Sequence, residues 1–310
     1  MRYIRHLTPL NNELVMQYFQ RLRSFLSDAW QIFTMNVSFD NKMNVLNAES
    51  VGVTHPVSAT EVATSLQRII LKLKGKYLSE DGKSVCYAEL KKDDLYQEFQ
   101  SQADQLVHVS LADLNPTQRK AFFINVYNTL TIHALSKIEP LPKSLLDISN
   151  FWKHSAYNIN GFVFSLDDIE HGILRANTRH PAALTKPFKR DDPRLQFTMK
   201  ELDPRIHFVL NCGGKSCPAI SVYSEANLEA ALNSAAKNFL SETVLVDGNI
   251  IHLSKLLMWY GIDFGSNDEQ ILRWVAQYVP DTKKTIIMQL LDSKSAEVIF
   301  DEYNWLVNAS

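Results

Sequence analysis

The stretch Arg205-Ile-His-Phe-Val-Leu-Asn-Cys-Gly-Gly-Lys-Ser-Cys-Pro-Ala-Ile220 constrains this chain more than any other. Its apolar run predicts a buried inner strand over 205–211. Alternation along a strand puts Arg205, His207, Val209 and Asn211 on one face and Ile206, Phe208, Leu210 and Cys212 on the other. The turn at Gly213-Gly214 then lets the chain fold back, so Cys217, rather than Cys212, is expected to meet His207. Pro218 suits the first position of a helical turn. That places Cys217 at a cap, where free N–H groups, and a neighbour such as Lys215, lower a thiol's pKa. A thiolate beside an imidazole is a nucleophile arrangement. Backbone N–H groups from Gly214 through Ser216 to Cys217 would serve an oxyanion. The plainer role for Cys217 is a small residue filling space under a turn.

Three other motifs compete for the same residues. Gly214-Lys215-Ser216 resembles the end of a phosphate-binding loop, but Val209 stands where the earlier glycine is required. His207, Cys212 and Cys217 match no common zinc spacing, and no fourth ligand follows. Cys212 and Cys217 are set wider than a redox Cys-x-x-Cys pair. Neither a metal nor a cofactor is expected.

Composition narrows the setting. The chain has 310 residues and a formal net charge of −2, which gives no bulk reason to expect nucleic acid or an anionic membrane. Three cysteines are too few for a secreted disulfide framework and point to a reducing, cytoplasmic setting. The first ten residues carry charge without a continuous apolar core, unlike a signal peptide. No apolar run approaches the roughly 20 residues that span a bilayer.

Around the central stretch, periodicity predicts helices at 13–33, 58–79, 113–137, 166–177, 224–241, 268–279 and 281–292. Ser58 with Glu61 has capping-box spacing, and Pro116 marks a helix start. Asn160-Gly161 predicts a hairpin joining 157–159 to 162–164, and a second hairpin joins 244–246 to 250–252. A last strand covers 296–300. Residues 36–55 look like a linker. The long connection 178–204 is expected either to lie over the site or to form plain surface. This mixture argues for an α+β fold, mainly helical, with a small mixed sheet built from hairpins and the inner strand. The expected division is an extension, 1–57, and a domain, 58–310.

Two further groups carry polar side chains. Asn125 and Asn128 share a largely apolar side of their helix, so each amide either ties down a loop backbone or orients a catalytic group. His133 falls on the aromatic stripe and is expected in the core. Glu170, His171 and Arg175 lie together on the helix at 166–177, with His171 and Arg175 four apart.

Ala121-Phe-Phe-Ile-Asn-Val-Tyr-Asn128, Ser165-Leu-Asp-Asp-Ile-Glu-His-Gly-Ile-Leu-Arg175 and Asp203-Pro-Arg-Ile-His-Phe-Val-Leu-Asn-Cys-Gly-Gly-Lys-Ser-Cys-Pro218 resemble the domain-of-unknown-function family 547. The likeness continues in Trp259-Tyr-Gly-Ile-Asp-Phe-Gly265 and Tyr303-Asn-Trp305, and covers about 58–308. Family members occur in bacteria, plants and animals, some fused to glutaredoxin or DEP domains. The resemblance implies a family without implying a reaction. Positions matching its signature include Asn125, Tyr127, Asn128, Glu170, Arg175, Arg205, His207, Cys212, Ser216, Cys217 and Pro218. Gly214 stands in place of an alanine, and Asn304 in place of an aspartate.

The leading expectation is a thiol-dependent hydrolase or acyl transferase acting on a small-molecule or peptide substrate. Cys217 would be nucleophile, His207 base, and Asn125 or Glu170 the orienting group. Asn128, Arg175, Arg205, Cys212, Gly214, Lys215 and Ser216 would line or support the site. The competing expectation is a non-catalytic domain that binds a protein partner in signalling. A redox or metal-binding domain ranks third.

Overall fold

The structure is a computed structural model that describes residues 42–47, 57–80 and 84–310. The helix expected at 13–33 lies outside the described residues.

Helix α1, Ala59–Lys76, starts where the Ser58 hydroxyl accepts the Glu61 N–H. Its stripe of Val62, Leu66, Ile69, Ile70 and Leu73 is buried. Asp93 caps α2, Asp94–Asp104. Helix α3, Pro116–Ser136, opens with a full capping box between Asn115 and Gln118, and every residue from Ala121 to Ser136 is buried. A helix covered all round is the centre of its core. Each fully buried large apolar side chain there contributes about 1.5–3 kcal/mol, and each buried polar one needs a partner. His133 has one: its Nδ1 lies 2.9 Å from the Tyr157 hydroxyl.

Strands β1 (Asn44–Val45), β2 (Ser155–Ile159) and β3 (Phe162–Ser165) form one sheet in that order, β1 parallel and β3 antiparallel to β2. The β2–β3 turn sits on Asn160 at φ 53° and Gly161 at φ 80°, the pair of positive values a type I′ turn demands. Within the expected linker, the described residues 42–47 pack against the domain through β1. Asn47 is buried, and its amide bonds the Ala103 carbonyl and both the N–H and the carbonyl of Asn158. A segment held by one side-chain amide shows no hydropathic period, so the pattern missed it.

Helix α4 (Leu228–Thr243), strands β4 (Leu245–Asp247) and β5 (Ile250–Ser254), helices α5 (Asp268–Val275) and α6 (Asp281–Asp292) and strand β6 (Glu297–Asp301) follow. The second sheet runs β4-β5-β6, with β4 antiparallel and β6 parallel to β5. A smaller core of Phe208, Leu253, Leu257 and Leu272 holds this part together. The fold is α+β, mainly helical, with two small three-stranded mixed sheets.

The buried strand expected over 205–211 is absent. Asp203 accepts the Arg205 N–H and Pro204 takes the first position of a single 3₁₀ turn, Pro204–Phe208. A short apolar run does not distinguish a buried strand from a buried helical turn, and Asp-Pro is a helix-start signal. The backbone beyond is paired by a side chain instead of a neighbouring strand: Asn128 donates to the Val209 carbonyl and accepts the Asn211 N–H. Without a strand, alternation no longer separates His207 from Cys212. Among the described residues, no helix is long and apolar enough to cross a membrane.

Candidate functional site

The segment after β3 builds one wall. Ser165 and Asp168 cap each other, as their spacing predicts. The turns that follow, Asp168–Leu174, are wound as a π-helix, with Arg175 N–H reaching back five residues to the Glu170 carbonyl. Such widened turns recur at functional sites. This one carries Glu170, His171 and Arg175.

Arg175 is fully buried and forks onto Asp263, Nε to Oδ2 at 2.7 Å and Nη2 to Oδ1 at 2.8 Å. His207 Nε2 meets the same Oδ2 at 2.7 Å. Burial opposes charge on Asp263, but His207 and Arg175 outweigh it and hold the carboxyl below its usual range. The acceptor is therefore a carboxylate, so Nε2 of His207 carries a proton and Nδ1 of the neutral ring is left as an acceptor. The His207 ring stacks on Tyr260, centroids 4.0 Å apart. Tyr260 and Tyr127 each donate to Glu170, at 2.8 and 3.0 Å. Burial, then the charge of Glu170, pushes both phenols far up, so they remain donors.

The opposite wall is the loop 211–218. Asn211 closes it, donating to the Pro218 carbonyl and accepting the Gly213 N–H. Gly213 sits at φ 93°, and a Cβ there would meet Leu135 at 2.5 Å, so both torsion and space require glycine. The loop rests on the segment 303–308. Lys215 N–H donates to the Leu306 carbonyl, Asn308 N–H to the Gly213 carbonyl, and the Ser216 hydroxyl accepts the Asn304 N–H. The Tyr303 hydroxyl lies 3.2 Å from Cys217 Sγ and 3.7 Å from Cys212 Sγ. Burial works against a Cys217 thiolate, yet hydrogen bonds from Cys212, Tyr303 and nearby backbone pull its pKa below that of an ordinary thiol. Cys212 moves the other way, because it keeps its proton to donate to Cys217. The two sulfurs titrate as a pair.

Between the walls lies a cavity of ≈ 100 Å³. Cys212, His207, Glu170 and His171 open into it, and Trp152, Trp259 and Trp305 make much of its apolar lining. Cys217 opens instead onto a separate groove against α4, with Lys215 and Ser216. No hydrogen bond joins Cys217 to His207 among the described residues. His180, Pro181 and Ala182, from the long connection 178–204, also line the cavity.

The remaining predicted residues fall elsewhere. Asn125 binds the Tyr223 backbone through both ends of its amide, at 2.7 and 3.0 Å, far along the chain from the imidazole it was expected to orient. Arg205 pairs with Asp203 and Glu229 and is absent from the cavity lining. Three groups at or behind the cavity wall escaped the sequence reading. Asp263 and Tyr303 belong to quoted motifs but had no assigned role. Asp167 lines the cavity, with its carboxyl pushed up to about 7 by burial and then by Glu170. Its one sequence signal is its place three residues before Glu170, on the same side of a helical turn. Among the described residues, no group of three or more His, Cys, Asp or Glu is set to hold a metal ion.

Residues 111–240 match the model of a family described as protein of unknown function, DUF547. That segment carries the likeness to the DUF547 family. The matched segment contains α3, the π-turn, His207 and both loop cysteines, whereas Asp263 and Tyr303 lie beyond it. No curated protein and no solved structure matches the chain.

Proposed function

We propose that the chain is a thiol-dependent hydrolase or acyl transferase, with Cys212 as nucleophile and His207 as base. The observation that carries this reading is that Cys212 and a carboxylate-held His207 open into one cavity. Asp263 fixes the imidazole with its proton on Nε2, leaving Nδ1 to take the thiol proton, as in a thiol–imidazole–carboxylate triad. Glu170 acts one step back, fixing the Tyr260 ring on which His207 stacks. In the reaction the sulfur bonds to an acyl carbon and the thiol proton passes to His207. That proton then leaves with the departing group, and water or a second nucleophile releases the acyl group from Cys212. Cys217 is the lower-titrating thiol of the pair and Cys212 the higher, so the Cys212 proton must turn from Cys217 to His207 Nδ1 as the acyl carbon is attacked.

Pulsed iodoacetamide labelling between pH 5 and 9, read by mass spectrometry, tests the assignment. Labelling of Cys212 should slow strongly in His207→Gln. Labelling confined to Cys217, or a Cys212 rate indifferent to His207 and governed by a pKa near 8.5, sinks it. A non-catalytic binding domain is the second reading. What favours it is that Asn125 and Asn128 are each bonded to backbone through both N–H and carbonyl. On that reading Cys212→Ser keeps full function in cells.

A further inference from the structure

The cavity holds two imidazole groups fixed in opposite senses. At His207 the outer partner is a carboxylate, so the nitrogen left over is an acceptor. At His171 the outer partner is Arg175, whose Nη1 lies 2.9 Å from Nδ1. A guanidinium has no lone pair to offer and cannot lose its proton. Nδ1 of His171 must therefore accept, and the proton of the neutral ring sits on Nε2. Arg175 is itself held by Asp263 and by the Arg179 carbonyl, so the fork that sets this tautomer does not swing away.

His171 is 2 % exposed, it lines the cavity, and among the described residues its hydrogen bond is made at Nδ1. The nearest carboxylate atom recorded, Asp167 Oδ1, is 3.9 Å away, beyond hydrogen-bond range. An N–H without a partner on a side chain that lines a cavity is available to an acceptor there. His180 repeats the pattern beside it. Its Nδ1 accepts the Ala182 N–H at 3.0 Å, its ring centroid is 4.7 Å from that of His171, and it too lines the cavity. Two neutral imidazoles in ring contact thus line the same cavity as His207 and Cys212.

We infer that His171, through Nε2–H, binds and polarises the carbonyl oxygen of an acyl substrate, with His180 as companion donor. This rests on the proposed acyl chemistry and names its substrate as a carbonyl compound, such as an ester, thioester or amide. In the addition step the sulfur–carbon bond forms, the carbonyl electron pair moves onto oxygen, and the thiol proton goes to His207. His171 keeps its own proton and stabilises the oxygen charge. Burial, then His180 and Arg175, holds His171 neutral far below its usual range, and burial holds His180 near 4. Both rings therefore stay single donors through neutral pH. A neutral imidazole is a suitable electrophile for a developing oxyanion.

Two arms test this on the full chain. In the first, p-nitrophenyl acetate is the acyl probe and iodoacetamide the control, because alkylation develops no oxyanion. His171→Leu should lose about 10²-fold in acylation rate, the cost typical of one oxyanion donor, while iodoacetamide labelling of Cys212 is unchanged. His171→Gln, which restores an N–H near the Nε2 position, should recover most of the loss. Equal acylation by the Leu and Gln variants overturns the inference. The second arm needs no thiol reaction. In wild-type protein carrying nitrogen-labelled histidine, the His171 proton should be found on Nε2, and N-methylacetamide should shift that resonance. A proton on Nδ1, or no shift at saturating amide, also overturns it. A wild type that shifts with N-methylacetamide yet shows no acylation removes the thiol reading and leaves the carbonyl-binding role standing.

Discussion

Helix α3 and the π-turn after β3 both carry buried polar side chains, and they use them differently. On α3, Asn125 and Asn128 have donor and acceptor closed by one backbone stretch each. Each amide is a clamp, with its N–H and its carbonyl closed on the same short backbone stretch. On the π-turn, each group is held on one side and open on the other. Glu170 accepts two phenols at the cavity edge, and His171 is bonded only at Nδ1. The difference separates clamping polar groups from those that face a cavity better than burial does, since both sets are buried.

Removing the ion pair behind the π-turn should have the largest effect. Arg175→Met leaves the buried Asp263 charge without its guanidinium, held by the His207 N–H, and should cost about 3–5 kcal/mol in urea unfolding. A loss under about 1 kcal/mol would mean that Asp263 is not held as the geometry indicates. Next comes the clamp. Asn125→Ala orphans a buried N–H and a buried carbonyl at Tyr223, each costing about 1–3 kcal/mol. It should lower stability while leaving iodoacetamide labelling of Cys212 at the wild-type rate. A change in that rate would erase the contrast between the two regions.

The smallest effect is graded by pH. Burial holds His133 near 3 and His180 near 4, both below the unfolded value of about 6.5. The unfolded chain then binds more protons, so this stability is complete above about 6.5 and declines as pH falls toward the folded values. Each such ring contributes up to about 1.4 kcal/mol per pH unit across its window. Urea midpoints at pH 7 and 5 should show the decline, and His133→Gln should flatten it by one proton. An unchanged slope in His133→Gln would show that His133 is not buried neutral.

Much of this was legible in the sequence, through local chemistry. Asn115 with Pro116, Ser58 with Glu61, Ser165 with Asp168 and the Asn160-Gly161 turn fall where their residue types require. His207, Cys212, Glu170 and Arg175 were singled out, and all four belong to the cavity or its supporting ion pair. What escaped was long-range or degenerate. Asp263 reaches His207 across 56 residues, and no spacing rule joins them. The strand at 205–211 failed because a buried 3₁₀ turn and a buried strand share one apolar signature. The alternation that separated Cys212 from His207 rested on that strand and goes with it.

The loop of 212–217 has its floor supplied by Tyr303 and its neighbours, 86 residues after Cys217. During synthesis, at roughly 5–20 residues per second, the two thiols emerge several seconds before the segment that seats them. Folding of this corner is therefore post-hoc to the helical core, and its closure depends on contacts of high sequence separation, the slow kind. The nascent chain passes through an interval in which α3 and the first sheet can form while both sulfurs remain unshielded. That interval, more than the finished fold, is when the chain is most open to oxidation or mispairing.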